Sequence, residues 1–367
     1  LCGSSNMTRR LAAALLLATC AALAPAPRRT YARTASIAHM EGTKGSLVGE
    51  DGIGATVVDS SDEESPPQTM AQCLAQAQGA AIQAVDDGDV IMEVEFPPLP
   101  ADIMEDPNTS AQDVSAANTK LAVKFAAAFA ERRGKRVAIM YPDTAELERA
   151  VEDSGTDEPA PGVKLHSLRK PFNEAESLDQ AFLGFFGKGK KNIKALPDDA
   201  DVYVCLTFSA QELPDVEYLC ELESFGKPVI LFNLKLDTQR GDLGLPAFPP
   251  KDLQWRFLSR VKPVYYLRTR QYSLSLPQPP FVVNYQGAIF RCYPGKYQCL
   301  LDTGKTYRAV DVSARRPALG EFKDILTDAL KIGENNKAAR FARSGYKSIT
   351  WWEEDKKSEE LHETWRQ

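Results

Sequence analysis

The sequence has only three histidines in 367 residues and no CxxC pair among its seven cysteines. The imidazole and thiolate sets that hold zinc, or that build a disulfide framework, are therefore missing. Acidic residues are absent from positions 1–40, which carry Arg9, Arg10, Arg28, Arg29 and Arg33. No Gly-x-Gly-x-x-Gly follows the first strand-like run; EFPPLP stands there instead, which disfavours a dinucleotide. After position 40 no apolar run approaches the roughly 20 residues of a membrane-spanning helix.

The apolar run that does occur, Leu11 to Ala24, is 14 residues long. It suits the apolar part of a signal peptide, and the acid-free RRTYARTASIA after it has transit-peptide composition. Residues 1–40 read as a two-part targeting segment of the kind used for plastids inside extra membranes, with Met7 as the expected translation start; an ordinary secretory signal is the plainer alternative. Without that segment the net charge moves from -6 to -11. So acidic a chain has no surplus positive charge for a phosphate backbone, and nucleic acid is not an expected partner. The remaining cysteines, 73, 205, 220, 292 and 299, read as reduced, partly buried thiols suited to a reducing stroma. No cofactor or metal is expected.

Residues 41–67 are rich in Gly, Ser and acids and read as a flexible lead-in, with order expected from about Gln68. Met70, Leu74, Ala77, Ala81 and Val85 then fall at helical spacing, and DVIMEVEFPP predicts a strand over about 89–96. The rhythm repeats. A helix marked by Leu121, Phe125 and Phe129 stops at Gly134, a strand covers about 136–141, and a helix follows with Thr144 as its cap. Further strands are expected near 163–168, 201–208 and 228–232, with helices near 174–186, after 211 and near 250–260. Short apolar strands alternating with amphipathic helices predict an α/β fold: a mainly parallel, Rossmann-like sheet with helices on both faces. Beyond VYYL at 264–267, the Pro294-Gly295 turn between strand-like runs predicts an added antiparallel hairpin region, closed by a helix through Leu319, Phe322, Leu326 and Leu330. Residues 68–331 form the expected single domain. Residues 332–367 form a charged tail carrying Trp351, Trp352 and Trp365.

The stretch LGFFGKGKK, 183–191, matches Gly, four residues, Gly, Lys, but Lys191 replaces the hydroxyl residue that would hold magnesium. Its setting, helix before and strand after, reverses that of a phosphate loop, so a basic surface loop is expected. Ligands of open parallel sheets bind outside the carboxyl ends of the strands. This makes Asp143, Ser209, Asn233, Asp237 and Arg240 the rim candidates. Glu93 and Glu95 alternate with apolar residues and read as a solvated or edge-facing row. His166, lacking an assignable nucleophile partner, reads as structural.

Several phrases carry a family resemblance: MEVEFPP (92–98), VILFNLKLD (229–237), PVYYL (263–267), AIFRCYPGKYQ (288–298) and RRPALGEFKDIL (315–326). Over roughly 68–331 the chain resembles the chloroplast LOW PSII ACCUMULATION 3 family of plant and algal plastid proteins, defined by a domain of unknown function. The FRCYPG phrase, with Arg291, Tyr293, Pro294 and Gly295, is its most specific part. This sequence departs from the family at Leu234-Lys235, where Gly-Glu is usual, and at SLPQPPFVVN (275–284), which looks like an insertion. The resemblance implies a non-catalytic role in photosystem II assembly from the stromal side of the thylakoid, with photosystem II subunits or other assembly factors as partners. It brings no catalytic residues. Membrane association is expected to be peripheral and through protein, with Lys188, Lys190, Lys191, Lys194 and the tail tryptophans Trp351, Trp352 and Trp365 as contact candidates; packing of the tail tryptophans back on the domain is the alternative. The alternatives are a stably bound peripheral subunit of a photosynthetic complex, and a small-molecule or nucleotide-binding enzyme using the sheet rim.

Overall fold

The computed structural model describes residues 57–104, 106–169, 197, 199–221, 226–240, 251–275, 281–304, 306–331 and 362–367. The first helix, α1 (Met70–Asp86), is capped by the Thr69 side chain, which accepts from the Gln72 amide. It buries Cys73, Ala77, Ala80, Ala81 and Ala84, small residues at helical spacing that bring its axis close to the sheet. β1 (Ile91–Glu95) and the single turn α2 (Ala101–Met104) follow. In α3 (Ala111–Arg133), Ser110 and Asp113 form a reciprocal capping box, and Gly134 ends the helix at φ 60°. β2 (Val137–Tyr141) leads into α4 (Thr144–Ser154). The cap of α4 is Asp143, which accepts from the Glu146 amide at 2.9 Å; Thr144, expected in that role, is instead the first helical residue.

β3 (Val163–Ser167), β4 (Val202–Cys205), α5 (Leu213–Glu221), β5 (Val229–Phe232), α6 (Leu236–Arg240) and α7 (Lys251–Arg256) complete the alternating part. The expected helix near 174–186 and the LGFFGKGKK loop lie outside the described residues. A 3-10 turn at Leu258–Arg260 introduces β6 (Lys262–Ser275), followed by β7 (Val282–Cys292), β8 (Tyr297–Asp302), β9 (Tyr307–Ser313) and α8 (Leu319–Ala329). The last described element is a 3-10 turn, Thr364–Arg366.

The nine strands among the described residues form one sheet, in the order β3-β2-β4-β5-β1-β6-β7-β8-β9. Every pairing from β3 to β6 is parallel and every pairing from β6 to β9 antiparallel. The expected α/β architecture with an added antiparallel region is the one observed. β1 is central, between β5 and β6, and its register against β6 shifts between Glu93 and Val94. The shift falls where Pro263, which has no N–H to give the ladder, enters a strand paired on both sides.

Strand alternation separates the core by face. Met92, Val94, Phe96, Ile139, Val204, Phe232 and Tyr265 pack beneath α1 and α3. On the opposite face, Met140, Cys205 and Leu231 pack against α5 and α7, while Tyr266, Ile289, Cys299 and Leu301 pack against α8. Between those two apolar clusters lies the face of β1 that carries Glu93 and Glu95. The described part of the lead-in, 57–67, rests on the antiparallel strands, with the Val58 amide donating to Ala309 O at 3.0 Å and Gln298 Nε2 to Glu64 O at 2.8 Å. Ordered contacts therefore begin ahead of Gln68.

Candidate functional site

Glu93 and Glu95 do not form a solvated or edge row. Their residues are 1% and 6% exposed, because β1 has a partner on both sides and is covered on both faces. Burial of two carboxylates on one strand face requires compensating charge, and arginines supply it. Arg240, at the end of α6, places Nη1 2.7 Å from Glu93 Oε2. Arg268 on β6 reaches Glu95 Oε1 at 3.3 Å and Asp237 Oδ2 at 3.5 Å. Arg316, between β9 and α8, pairs with Asp237 Oδ1 and lies 4.0 Å from Glu93 Oε2. Tyr266 donates its hydroxyl to Asp237 Oδ2 and accepts from Arg316 Nη2 at 2.8 Å, under a guanidinium 4.1 Å from its ring centre.

Three carboxylates thus meet three guanidiniums in a largely buried region, in which Arg268 is the most exposed member. Glu95 Oε2 also accepts from the Lys235 amide at 2.9 Å. Burial, reinforced by the neighbouring Glu93 carboxylate and opposed by Arg268 and Lys235, pushes the Glu95 carboxyl up to about 7. Burial also raises the Tyr266 phenol, against the pull of Arg268, and takes Tyr297 to about 12. Glu93 Oε1 is buried and has no hydrogen-bond partner among the described residues. The array can hold a proton on Glu95 near neutral pH, and its guanidiniums can grip carbonyl oxygens or aromatic faces.

The cluster is closed by the C-terminal segment. Trp365, 4% exposed, centres its ring 5.3 Å from the Arg240 guanidinium and 5.5 Å from that of Arg316. The Arg316 amide donates to Arg366 O at 2.7 Å, and Arg366 Nη1 returns a bond to Arg316 O at 2.8 Å. The His362 amide donates to Ser259 Oγ at 3.1 Å.

The rim candidates divide. Asp237 and Arg240 enter the cluster. Asp143 is the α4 cap, and Ser209 bonds Glu212 Oε2 through its amide at 2.9 Å and through its hydroxyl, ahead of α5. Asn233, at φ 52°, is a tie between elements: its Oδ1 accepts from the Phe96 amide and its Nδ2 donates to Asn118 Oδ1, both at 2.9 Å. Thr207 (φ 64°) and Lys235 (φ 53°) share this left-handed conformation at the same rim. Lys188, Lys190, Lys191, Lys194, Trp351 and Trp352 lie outside the described residues. His166 is half-buried on β3, paired in register with Met140.

The FRCYPG residues brace the same region. Arg291 donates to Gly295 O at 3.1 Å, to Pro263 O at 2.9 Å and to the main-chain oxygen of Gln367. Tyr293 donates to Asp87 Oδ2 at 3.0 Å and its ring lies 4.4 Å from Lys262 Nζ; its peptide bond to Pro294 is cis. A Cβ on Gly295 would stand 2.6 Å from Glu63 Oε2 and 2.9 Å from Cys292 O, so only glycine fits without a shift. Among the described residues the cysteines are inert by environment: burial takes the Cys73 thiol to about 11 and Cys292 to about 12, away from thiolate chemistry. Among the described residues no group of three or more His, Cys, Asp or Glu is placed to hold a metal ion. None of the described helices is long and apolar enough to cross a membrane. A separate open cavity of about 230 Å³ lies at the carboxyl end of β2, lined by Thr119, Tyr141, Glu146, Arg149 and Asp153 among others.

Sequence reasoning missed Glu93, Glu95, Arg268 and Arg316. A usable signal was present: Glu-x-Glu in MEVEF and Arg-x-Arg in YLRTR put opposite charges at period 2 on two strands, as neighbouring central strands require.

The domain of unknown function DUF1995 matches residues 67–324, more than two thirds of the chain, and the chain belongs to that family. No curated protein matches it. The matched stretch contains every residue of the charged cluster except those supplied by the C-terminal segment.

Proposed function

We propose that this chain is a non-catalytic plastid interaction factor that assists photosystem II assembly from the stromal side of the thylakoid. One observation supports a binding role over an enzymatic one. The charged groups of the β1 and β5 rim bond to one another, and Trp365 lies over Arg240 and Arg316, so they hold the scaffold together. The plastid setting rests on the Arg-rich, acid-free leader and on the resemblance of the MEVEFPP and FRCYPG phrases. The partners would be photosystem II subunits or other assembly factors, contacted through Lys188, Lys190, Lys191, Lys194, Trp351 and Trp352.

The test is pull-down of the tagged chain from solubilised thylakoids followed by native gel separation. Co-migration with incomplete photosystem II complexes is expected. Recovery free of every photosystem II subunit would overturn the proposal, and co-migration with the mature complex alone would make the chain a resident peripheral subunit. The second reading, a small-molecule binder, is favoured by the cavity beside Tyr141. It requires a bound compound to co-purify.

A further inference from the structure

Residues His362–Gln367 are held by the domain at several points. Arg291 is fixed first by the domain itself, with Nε on Gly295 O and Nη1 on Pro263 O, and the same Nη1 then takes the Gln367 main-chain oxygen. Arg240 and Arg316 are likewise fixed by Glu93 and Asp237, and the Trp365 ring lies against their guanidiniums. The main chain at Arg316 offers one donor and one acceptor, and residue 366 takes both. A fixed main-chain pair, an aromatic anchor on cations and capture of a carbonyl oxygen are elements of peptide recognition. Glu93 Oε1 adds a buried acceptor in this cradle that the described residues leave unused.

The cradle and its occupant also belong to different parts of the chain. Glu93, Asp237, Arg240, Arg291 and Arg316 all fall within the matched family domain, whereas 362–367 lies beyond it. Thirty-seven residues, 325–361, separate the hexapeptide from the end of the matched stretch.

We infer that this cradle is a peptide-recognition site, occupied in cis by the chain's own Trp365-Arg366 segment, and that it takes the same Trp-Arg segment in trans when the resident leaves. Covalent attachment to its own cradle gives the resident an effective concentration on the order of 1 mM, so an outside peptide competes only near that level. This inference stands independently of the assembly role.

The experiment uses the full chain and a fluorescein-labelled HETWRQ peptide, followed by anisotropy. The Trp365→Ala chain, with its fold checked by far-UV circular dichroism, is expected to bind the peptide at least about tenfold more tightly than the wild type, whose site is filled. A peptide with Ala in place of Trp is expected to bind neither. Equal binding to both chains, or binding that ignores the peptide's Trp, would overturn the inference. A second readout needs no variant: unlabelled HETWRQ at a few millimolar is expected to speed amide hydrogen exchange across residues 362–367 of the wild-type chain, and an unchanged rate would overturn the inference equally.

Discussion

Glu93 and Arg240 show at a single contact why the rim is closed. Both side chains are at most 2% exposed and meet at 2.7 Å, so removing one leaves the other charged and dry. Arg240→Ala is expected to cost about 3–5 kcal/mol in urea unfolding, whereas Glu93→Leu with Arg240→Met, apolar replacements of similar length, recovers most of that loss. A double variant as unstable as the single would show that the pair's charges are individually required. Glu95 gives the pH dependence. Its folded pKa of about 7 lies above the ordinary 4.5, so the folded state binds the proton more tightly than the unfolded state. Its contribution is therefore complete below about pH 4.5 and falls as pH rises through about 7, in total by about 3 kcal/mol. Glu95→Gln cannot titrate at this position. The stability of the wild type relative to Glu95→Gln is expected to decline between pH 5 and pH 8, measured by urea unfolding at each pH. A flat difference would mean that Glu95 stays ionised throughout.

Among the elements, the β6–β7 hairpin joins the parallel and antiparallel halves, and its closest approach falls at Gly287. A Cβ there would meet Leu300 O at 2.3 Å and Leu326 Cδ1 at 2.9 Å, pushing β7 off both β8 and α8. Gly287→Ala is expected to destabilise by about 1–3 kcal/mol, read as a lowered melting temperature, although alanine is intrinsically the better strand residue. An unchanged melting temperature would mean that α8 can move outward freely. Elements of this kind were legible in the sequence wherever local rules act. The strands at 137–141, 163–167 and 229–232 are continuous or alternating apolar runs, and the helix ending at Gly134 carries its own stop. Two readings failed for physical reasons. Thr144 and Asp143 are both good caps, and which one takes the role depends on where the chain leaves β2. The Glu row was misread because alternation on a strand identifies two faces without saying whether the polar one is wet. That depends on which strands flank it, and the flanking strands β5 and β6 begin 138 and 171 residues further along the chain than β1.

At the scale of the whole molecule, the position of β1 decides the behaviour. The first described strand sits between β5 and β6, and the apolar layer beneath α1 and α3 runs from Val137 and Val163 through Met92 to Phe290, Leu300 and Ala309. No continuous stretch of sequence contains a complete core: the parallel part lacks its centre without β1, and β1 lacks one neighbour without β6. The C-terminal contacts of Arg291 and Arg316 and the lead-in contact of Val58 with Ala309 draw the outer segments onto the same sheet. Larger chains often unfold domain by domain, each domain with its own core. Here the one sheet removes that option, and the described residues should unfold as one unit without added metal or nucleotide. Far-UV circular dichroism and tryptophan fluorescence, followed together through thermal or urea unfolding, are expected to give coincident transitions with a single midpoint. Trp255 reports from α7, beside the parallel strands, and Trp365 from the charged cluster between the two halves. Two separated transitions, with one probe changing well before the other, would show that the antiparallel strands and α8 form an independent unit and that β1 does not couple the halves.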